Sequence, residues 1–566
     1  MKNPLQSRFT LILLLLNLSM AIHAQLSLDW ALSQGSNDSD LTGGALIDDQ
    51  GSIYYTVNYR DTIDLDPGPG VNMAFVAEDE PFVLNKYTQE GEYQWSGQFT
   101  TKGDAYGFMS EIKNNRILII LYYTDSLFYR HDTPWMIANP GKHLALITMT
   151  LDGQIISHQH LSNNLDLYFS DFTTLPNGSY LAAGGFDGNV TFVTPDSTRT
   201  ILSSGNSDAF IARFNDQVQL EWITLFAGKG DDYIENVRVG KNDLIYYAMI
   251  HDSTVTLETN LGQVISPAYG EDNSIFGWMT PDGDIETAYI FGGELGDQLR
   301  NIDSDDAGNM YISGYFEGSV NFEHPSETPV IFSVANDSDG FISKYNPDGK
   351  LLWARIFRNG DYGGVYTMSL QRNSHIYLAG GYTLVSDLDP GPDSILVDGG
   401  NRGDVFAGKM DTDGNLEWVY SITGNSYTGI QSFFPGTDGK VFLQGYYWID
   451  IDCDPGPDVT QFICQGGSDI FLIGFKEEGV VTANAEVPQT SMLVYPNPAL
   501  DYLQLESEAP IESIDVFNMQ GAHMMRNHGN DGNTMNVDIQ NLSPGMYTLR
   551  IKSADQYTTR KFLKVN

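Results

Sequence analysis

Three segments of this 566-residue chain place carboxylates two apart, just ahead of a rigid turn. They are Asp64-Leu-Asp66-Pro-Gly-Pro69, Asp387-Leu-Asp389-Pro-Gly-Pro392 and Asp452-Cys-Asp454-Pro-Gly-Pro457. Side chains two apart on an extended backbone share a face, and hard carboxylate oxygens suit Ca²⁺. A pair is too few for a shell of about six to eight oxygens, so carbonyls, water or a neighbouring segment must complete it. The same residues make a turn without metal: proline presets φ, glycine takes the awkward angle and aspartate accepts from nearby amides. The turn is the favoured reading. Calcium at Asp64, Asp66, Asp387, Asp389, Asp452 and Asp454 is the alternative and the one candidate cofactor.

Other chemistry is sparse. Asp303-Ser-Asp-Asp-Ala-Gly308 has calcium-like composition but lacks the EF-hand spacing and terminal Glu. Cys453 and Cys464 are the two cysteines of the chain. Around a Pro-Gly turn they either close a disulfide across a hairpin or stay as two inert buried thiols. His158 and His160 share a strand face with no third ligand in view, and a solvated or packed pair is favoured over metal. Arg402-Gly-Asp404 has the form of an adhesion tripeptide, yet Asp404 is the regular first residue of a repeated strand, matched by Asp208, Asp339 and Asp469. His-Glu-x-x-His, Gly-x-Ser-x-Gly, phosphate loops and dinucleotide fingerprints are absent from the sequence.

The elements that must position these residues repeat. Leu28-Asp-Trp30, Tyr93-Gln-Trp95, Leu220-Glu-Trp222, Leu352-Trp353 and Leu416-Glu-Trp418, with weaker copies at Ile155 and Ile285, recur every 62–66 residues. Each unit opens with a hairpin whose turn is rich in Asp, Asn and Gly, such as Asn301 to Gly314. A third strand beginning Asp-x-Phe follows, and then the Trp strand. Four strands, seven units and no helical pattern predict an all-β fold, a seven-bladed β-propeller over residues 25–479. The chain opens with a lone Trp strand and its last unit stops at a third strand. A propeller closed by an N-terminal strand reconciles the two ends. The units resemble the seven-bladed β-propeller repeats of secreted bacterial proteins, which speaks for the fold and says little about activity.

After Gly479 the period stops. Residues 480–491 read as a linker, and residues 492–566 as a small C-terminal β-sandwich of short alternating strands. Val494-Tyr-Pro-Asn-Pro498, Met519-Gln-Gly521, Leu542-Ser-Pro-Gly-Met-Tyr547 and the basic strand Thr559 to Val565 occur in order. Together they resemble the type A C-terminal sorting domain of type IX secretion cargo from the Bacteroidetes. That resemblance implies export of a folded body across the outer membrane by the type IX machinery, removal of the tail, and release or attachment at the cell surface.

At the other end, Lys2 and Arg8 precede the apolar run Leu11 to Ile22 and a small residue at Ala24, the order of a secretory signal peptide over residues 1–24. The run is too short to span a bilayer, and no later segment is long enough. Lys+Arg number 30 and Asp+Glu 73, a net charge of −43. Residues 492–566 hold 6 basic and 8 acidic side chains, so nearly all the acidity belongs to the body. Nucleic acid and anionic membrane surfaces are disfavoured as partners, because binding a polyanion needs Lys and Arg to replace its counterions.

These readings lead to a secreted or surface-attached protein that binds glycans or proteins through loops on one face, without catalysis. The alternatives are a polysaccharide lyase or glycosidase and a structural surface-layer component. A cluster of unlike ionisable residues facing the central channel and breaking the repeat would favour the enzyme, and repeat-regular channel residues would favour binding or scaffolding.

Overall fold

The computed structural model describes residues 25–478 and 492–565, apart from residues 69, 75–80, 102–104, 131–134, 138–141, 163–166, 195, 269–271, 324–328, 335–337, 372–373, 401, 455–458, 496–498, 508–509, 519–522, 530–531 and 554–555. The signal segment 1–24, the linker 480–491, residues 496–498 of the Tyr-Pro-Asn-Pro motif and the 519–521 turn lie outside the described residues. The chain divides into two compact units, Met1–Gly479 and Val480–Asn566.

One repeat shows how the sequence builds the first unit. Strands Asp297–Ser304, Met310–Phe316, Asp339–Tyr345 and Leu351–Phe357 lie antiparallel in that order. The third strand is buried along its whole length while the fourth is largely half-exposed. A strand covered on both faces needs an unbroken apolar run, whereas an outer strand can alternate. The turn joining the first two strands is tied by its own aspartate. Asp305 Oδ1 accepts from the amides of Ala307 at 3.0 Å and Asn309 at 2.9 Å, and Oδ2 accepts from Asn309 Nδ2 at 2.8 Å. Asp48 does the same for Gln50 and Ser52. The calcium-like Asp303 to Gly308 segment is thus this repeated turn.

Adjacent sheets share their cores. Leu181, Ile211 and Phe226 of one sheet pack with Val237, Tyr247 and Ile275 of the next. Each such side chain, fully buried, contributes about 1.5–3 kcal/mol. The periodic tryptophans lie at these seams. Trp30, Trp222 and Trp353 pack on the turn glycines Gly91, Gly283 and Gly414 of the following unit, whose φ values are +79°, +91° and +80°. A Cβ on those glycines would come within 2.6, 2.7 and 3.0 Å of the indole rings. Glycine is needed there both for the left-handed backbone and for the approach.

The result is an all-β, repeated body consistent with a propeller-like repeat fold, but the expected closed seven-bladed propeller is corrected by the strand pairing. Among the described residues no sheet closes on itself; every sheet is open and has two edges. The units are also unequal, with six four-stranded sheets and one of six strands in the body. The hairpin of Leu127–Arg130 and Trp135–Ile137 causes the difference, because Phe128 pairs with Thr100 on the outer strand of the preceding sheet. Sequence period shows that units recur; it does not show which edge an inserted hairpin will join. The N-terminal strand Gln25–Gln34 pairs with Asp469–Glu478, from Gln25 opposite Glu478 to Gln34 opposite Ile470.

The second unit has a three-stranded sheet (Met492–Tyr495, Tyr502–Ser507, Thr534–Asp538) and a four-stranded one (His523–His528, Ile511–Asn518, Gly545–Ser553, Gln556–Lys564). Leu503, Leu505, Val516, Val537, Leu549 and Phe562 form their common core. Among the described residues no helix is long and apolar enough to cross a membrane.

Candidate functional site

The first strands of successive repeats lie side by side. Asp171 Oδ2 accepts from Val237 N at 3.2 Å, Asn236 Oδ1 from Ile302 N at 3.1 Å, and Ser432 Oγ from Ala45 N at 3.0 Å. Six of the seven first strands carry a bulge, Ala45–Ile47 being the one that pairs without a shift. The extra residues are Ser110, Ser170, Glu235, Arg300, Tyr366 and Gln431. A bulge re-aims its side chain and interrupts pairing, and bulges are over-represented beside functional sites. The backbone here is regular, while the residues presented on it are all different apart from the two serines.

Two of them meet. Arg300 Nη1 donates to Glu235 Oε1 at 2.8 Å, joining neighbouring repeats, and the guanidinium lies over the Tyr315 ring, 5.8 Å from its centroid. Gln298, opposite Tyr315 across the strand pair, donates from Nε2 to Asp272 Oδ2 at 2.5 Å. Gln298 is 8% exposed, and among the described residues its buried Oε1, like the buried Nε of Arg300, has no hydrogen-bond partner.

Tyrosines recur beside the first strands of several repeats. Tyr366 packs on Gly364 and Gly381, Tyr446 on Gly429, and Tyr168 on Gly185, rings lying where a Cβ would collide. Tyr315 lies against Gly364 as well. Tyr427 lies tilted against Tyr446 and Trp448, at 6.1 and 5.4 Å between centroids. Tyr362, Tyr427 and Trp448 are exposed. Burial, and then the neighbouring Tyr362 and Tyr427, hold the Tyr366 hydroxyl above its ordinary pKa, so it remains a donor at neutral pH. Flat rings with hydroxyl rims beside charged donors and acceptors bind polar ring-shaped ligands by stacking and hydrogen bonding.

The residues singled out in the sequence lie elsewhere in the structure. Asp64, Asp387 and Asp452 each cap a turn through Oδ1, accepting from Asp66 and Asn72, from Asp389 and Ile395, and from Asp454 and Thr460, at 2.8–3.2 Å. Asp66 and Asp389 accept in turn from Gly68 and Gly391. Asn321 makes the same bonds to Glu323 N and Val330 N, so a neutral side chain does this work in another repeat. Among the described residues no group of three or more His, Cys, Asp or Glu is placed to hold a metal ion.

Cys453 and Cys464 are free thiols in the structure. Cys453 N bonds Thr460 O at 2.9 Å and Cys464 N bonds Ile449 O at 2.8 Å, so each faces a residue four positions from the other cysteine. At about 3.3 Å per residue that is about 13 Å along the strands, roughly twice the Cα separation a disulfide spans. His158 and His160 are exposed on one strand face. Asp404 of the Arg-Gly-Asp tripeptide is 3% exposed and accepts from Gly424 N at 3.0 Å, a structural post.

Sequence reasoning missed the bulge residues and the tyrosines. The recoverable signal was the 65-residue step from Ser170 to Glu235 to Arg300, where one position changes chemistry while its neighbours repeat.

Comparison with known proteins adds the C-terminal identity. Residues 493–565 match the family described as secretion system C-terminal sorting domain. No curated protein matches the chain. Among solved structures, a glycoside hydrolase family 32 enzyme from Bifidobacterium adolescentis is similar over 80% of this chain and 80% of its own, at 8% identity and a TM-score of 0.23. A likeness that slight carries no argument.

Proposed function

We propose that this is cargo of the type IX secretion machinery, delivered beyond the outer membrane through its C-terminal sorting domain, whose repeated body binds glycans at the tyrosine-rich face of its first strands. The observation that carries the reading is the set of tyrosines lying over glycines beside the first strands, with Tyr362, Tyr427 and Trp448 exposed. Stacking surfaces with a few fixed polar groups are the chemistry of sugar recognition. The acidity of the body keeps an exported protein soluble and disfavours anionic surfaces as partners. The test is a glycan array probed with the purified chain and with Tyr366→Ala. Binding that is lost in the variant supports the reading; binding unchanged by Tyr366→Ala, or no binding at all, refutes it.

One observation favours an enzyme as the second reading: Glu235 and Arg300 are ionisable, unlike, and occupy equivalent positions in adjacent repeats. Incubation of any glycan that binds, followed by an assay for new reducing ends or unsaturated sugars, separates the two. Product formation abolished by Glu235→Gln would replace binding with catalysis.

A further inference from the structure

We propose that Tyr362, Tyr427 and Trp448 form an open stacking platform across two adjacent repeats, and that it holds the interior of an uncharged polysaccharide chain rather than a single sugar. The inference rests on the glycan-binding reading above and adds where the ligand lies, its charge and its length.

Equivalent positions in successive repeats carry the argument. Four residues ahead of the bulged residue stand Asp231, Gly296, Tyr362 and Tyr427 in turn. The two residues that follow the second strands Ile245–His251, Met310–Phe316, His375–Tyr382 and Lys440–Tyr447 are Asp252-Ser253, Glu317-Gly318, Thr383-Leu384 and Trp448-Ile449. Two repeats thus offer acid at these places, and the next two offer rings and aliphatic side chains without charge. The platform is continuous. Tyr362 N donates to Thr383 Oγ1 at 2.9 Å, and Trp448 N to Tyr427 O at 3.1 Å. A Cβ on Gly403 would lie 3.6 Å from Tyr427 Cδ2 and 3.7 Å from Thr383 Cγ2, so the two repeats meet over one glycine. The three rings are 38–51% exposed, which leaves surface on each for a sugar.

Backbone strain marks the same place. Gly318 has a φ of +60°, and the next two repeats put Leu384 and Ile449 at that position, at +52° and +65°. A bulky side chain costs stability in this conformation, and both are exposed, so burial does not return it. What they add is apolar surface beside the rings. A chain without charge meets no unpaired ion there, whereas a basic partner would find its counter-charges at Asp252 and Glu317. Each ring that stacks is worth about a factor of 2–10 in affinity, so a lone sugar is held weakly and a chain spanning both repeats is held by the product.

Calorimetric titration of the full chain with glucose, mannose and xylose oligosaccharides of one, two, four and six residues tests this. At least one series should bind, about tenfold or more tighter at four residues than at two, and equally at low and high salt. Tyr362→Ala and Trp448→Ala should each weaken the hexasaccharide by about 2–10-fold and the disaccharide by less. Ile449→Gly should weaken the hexasaccharide with no fall in Tm, because glycine adopts a φ of +65° freely. Thermal unfolding checks that the two ring variants fold. Affinity that is equal at all lengths, falls steeply with salt, or is unchanged in both ring variants overturns the platform and leaves glycan binding intact. No binding in any series overturns it as well, and if the array is also blank the glycan reading falls with it.

Discussion

Replacing Asp404 by asparagine should make the protein more stable at pH 8, less so at pH 5, and leave it unchanged below about pH 4. Asp404 is 3% exposed, and burial pushes its carboxyl from 3.8 up to about 7, against the opposing bond from Gly424 N at 3.0 Å. The sign follows from proton counting. Between pH 4 and 7 the folded state holds a proton that the unfolded state has lost, so stability falls as pH rises through that window and levels off above it. A shift of about 3 units corresponds to about 4 kcal/mol at most, at about 1.4 kcal/mol per unit. For a body of about 450 residues the unfolding entropy is about 0.9 kcal/mol/K, so one carboxylate is worth up to about 4 °C in Tm. Asparagine keeps the acceptor for Gly424 N and cannot ionise, so Asp404→Asn recovers about 2–4 °C at pH 8, about a third of that at pH 5 and about none below pH 4. Asp40, Asp232 and Asp297 are also pushed up to about 7, mainly by burial, so the wild-type Tm should fall from pH 5 to about pH 7 and level off by pH 8. The assay is differential scanning calorimetry of both proteins across that range. A wild-type Tm that is flat from pH 5 to 8, with Asp404→Asn destabilised at pH 8, would refute the reasoning and show that the amide bond to Gly424 outweighs burial.

Further consequences are as direct. Gly414→Ala must fit a methyl 3.0 Å from Trp353 at a φ of +80°, and should cost about 2–4 kcal/mol in urea unfolding; Gly400→Ala, with open space at a φ of +59°, should cost only about 1–2. Asp387→Asn should move stability by less than about 0.5 kcal/mol with or without calcium, because Asn321 makes the equivalent turn uncharged. A chelator-dependent Tm in wild type that vanishes in this variant would reinstate calcium. Cys453 is buried and its thiol is pushed up by burial, so it should resist alkylation at pH 8 in the native protein. Both cysteines should label after denaturation without reductant, and mass spectrometry showing none labelled would establish the bridge instead.

Much of the architecture was readable because it is periodic. Aspartates that tie turns, such as Asp305, and tryptophans that pack on the next turn glycine, such as Trp353 on Gly414, act within or between neighbouring units. Interactions of that kind return at a fixed step along the chain, so the nearly unbroken buried run of Met310–Phe316 and the Asp-x-Phe start of Asp339–Tyr345 follow from local spacing alone. The sorting tail was legible for a similar reason, its short strands and turns standing in a fixed order.

Pairings that depend on which edges meet were not legible. The Leu127–Arg130 hairpin joins the preceding sheet, and the strands around Cys453 and Cys464 are registered so that the thiols sit apart. Neither register is visible in a one-dimensional pattern, since a slip of a few residues leaves the composition untouched. The candidate site belongs wholly to this second kind. Glu235, Arg300 and Tyr366 lie in successive repeats, yet a bulge in each first strand turns them to one face, where Arg300 reaches Glu235 at 2.8 Å. The sequence determined the repeated unit, its turns and its exported tail, because those rest on local hydrogen bonding and alternation. Only the packing of unit against unit decided which variable residues meet, because that contact is made across 65 residues of chain and is set by the side-by-side placement of the first strands.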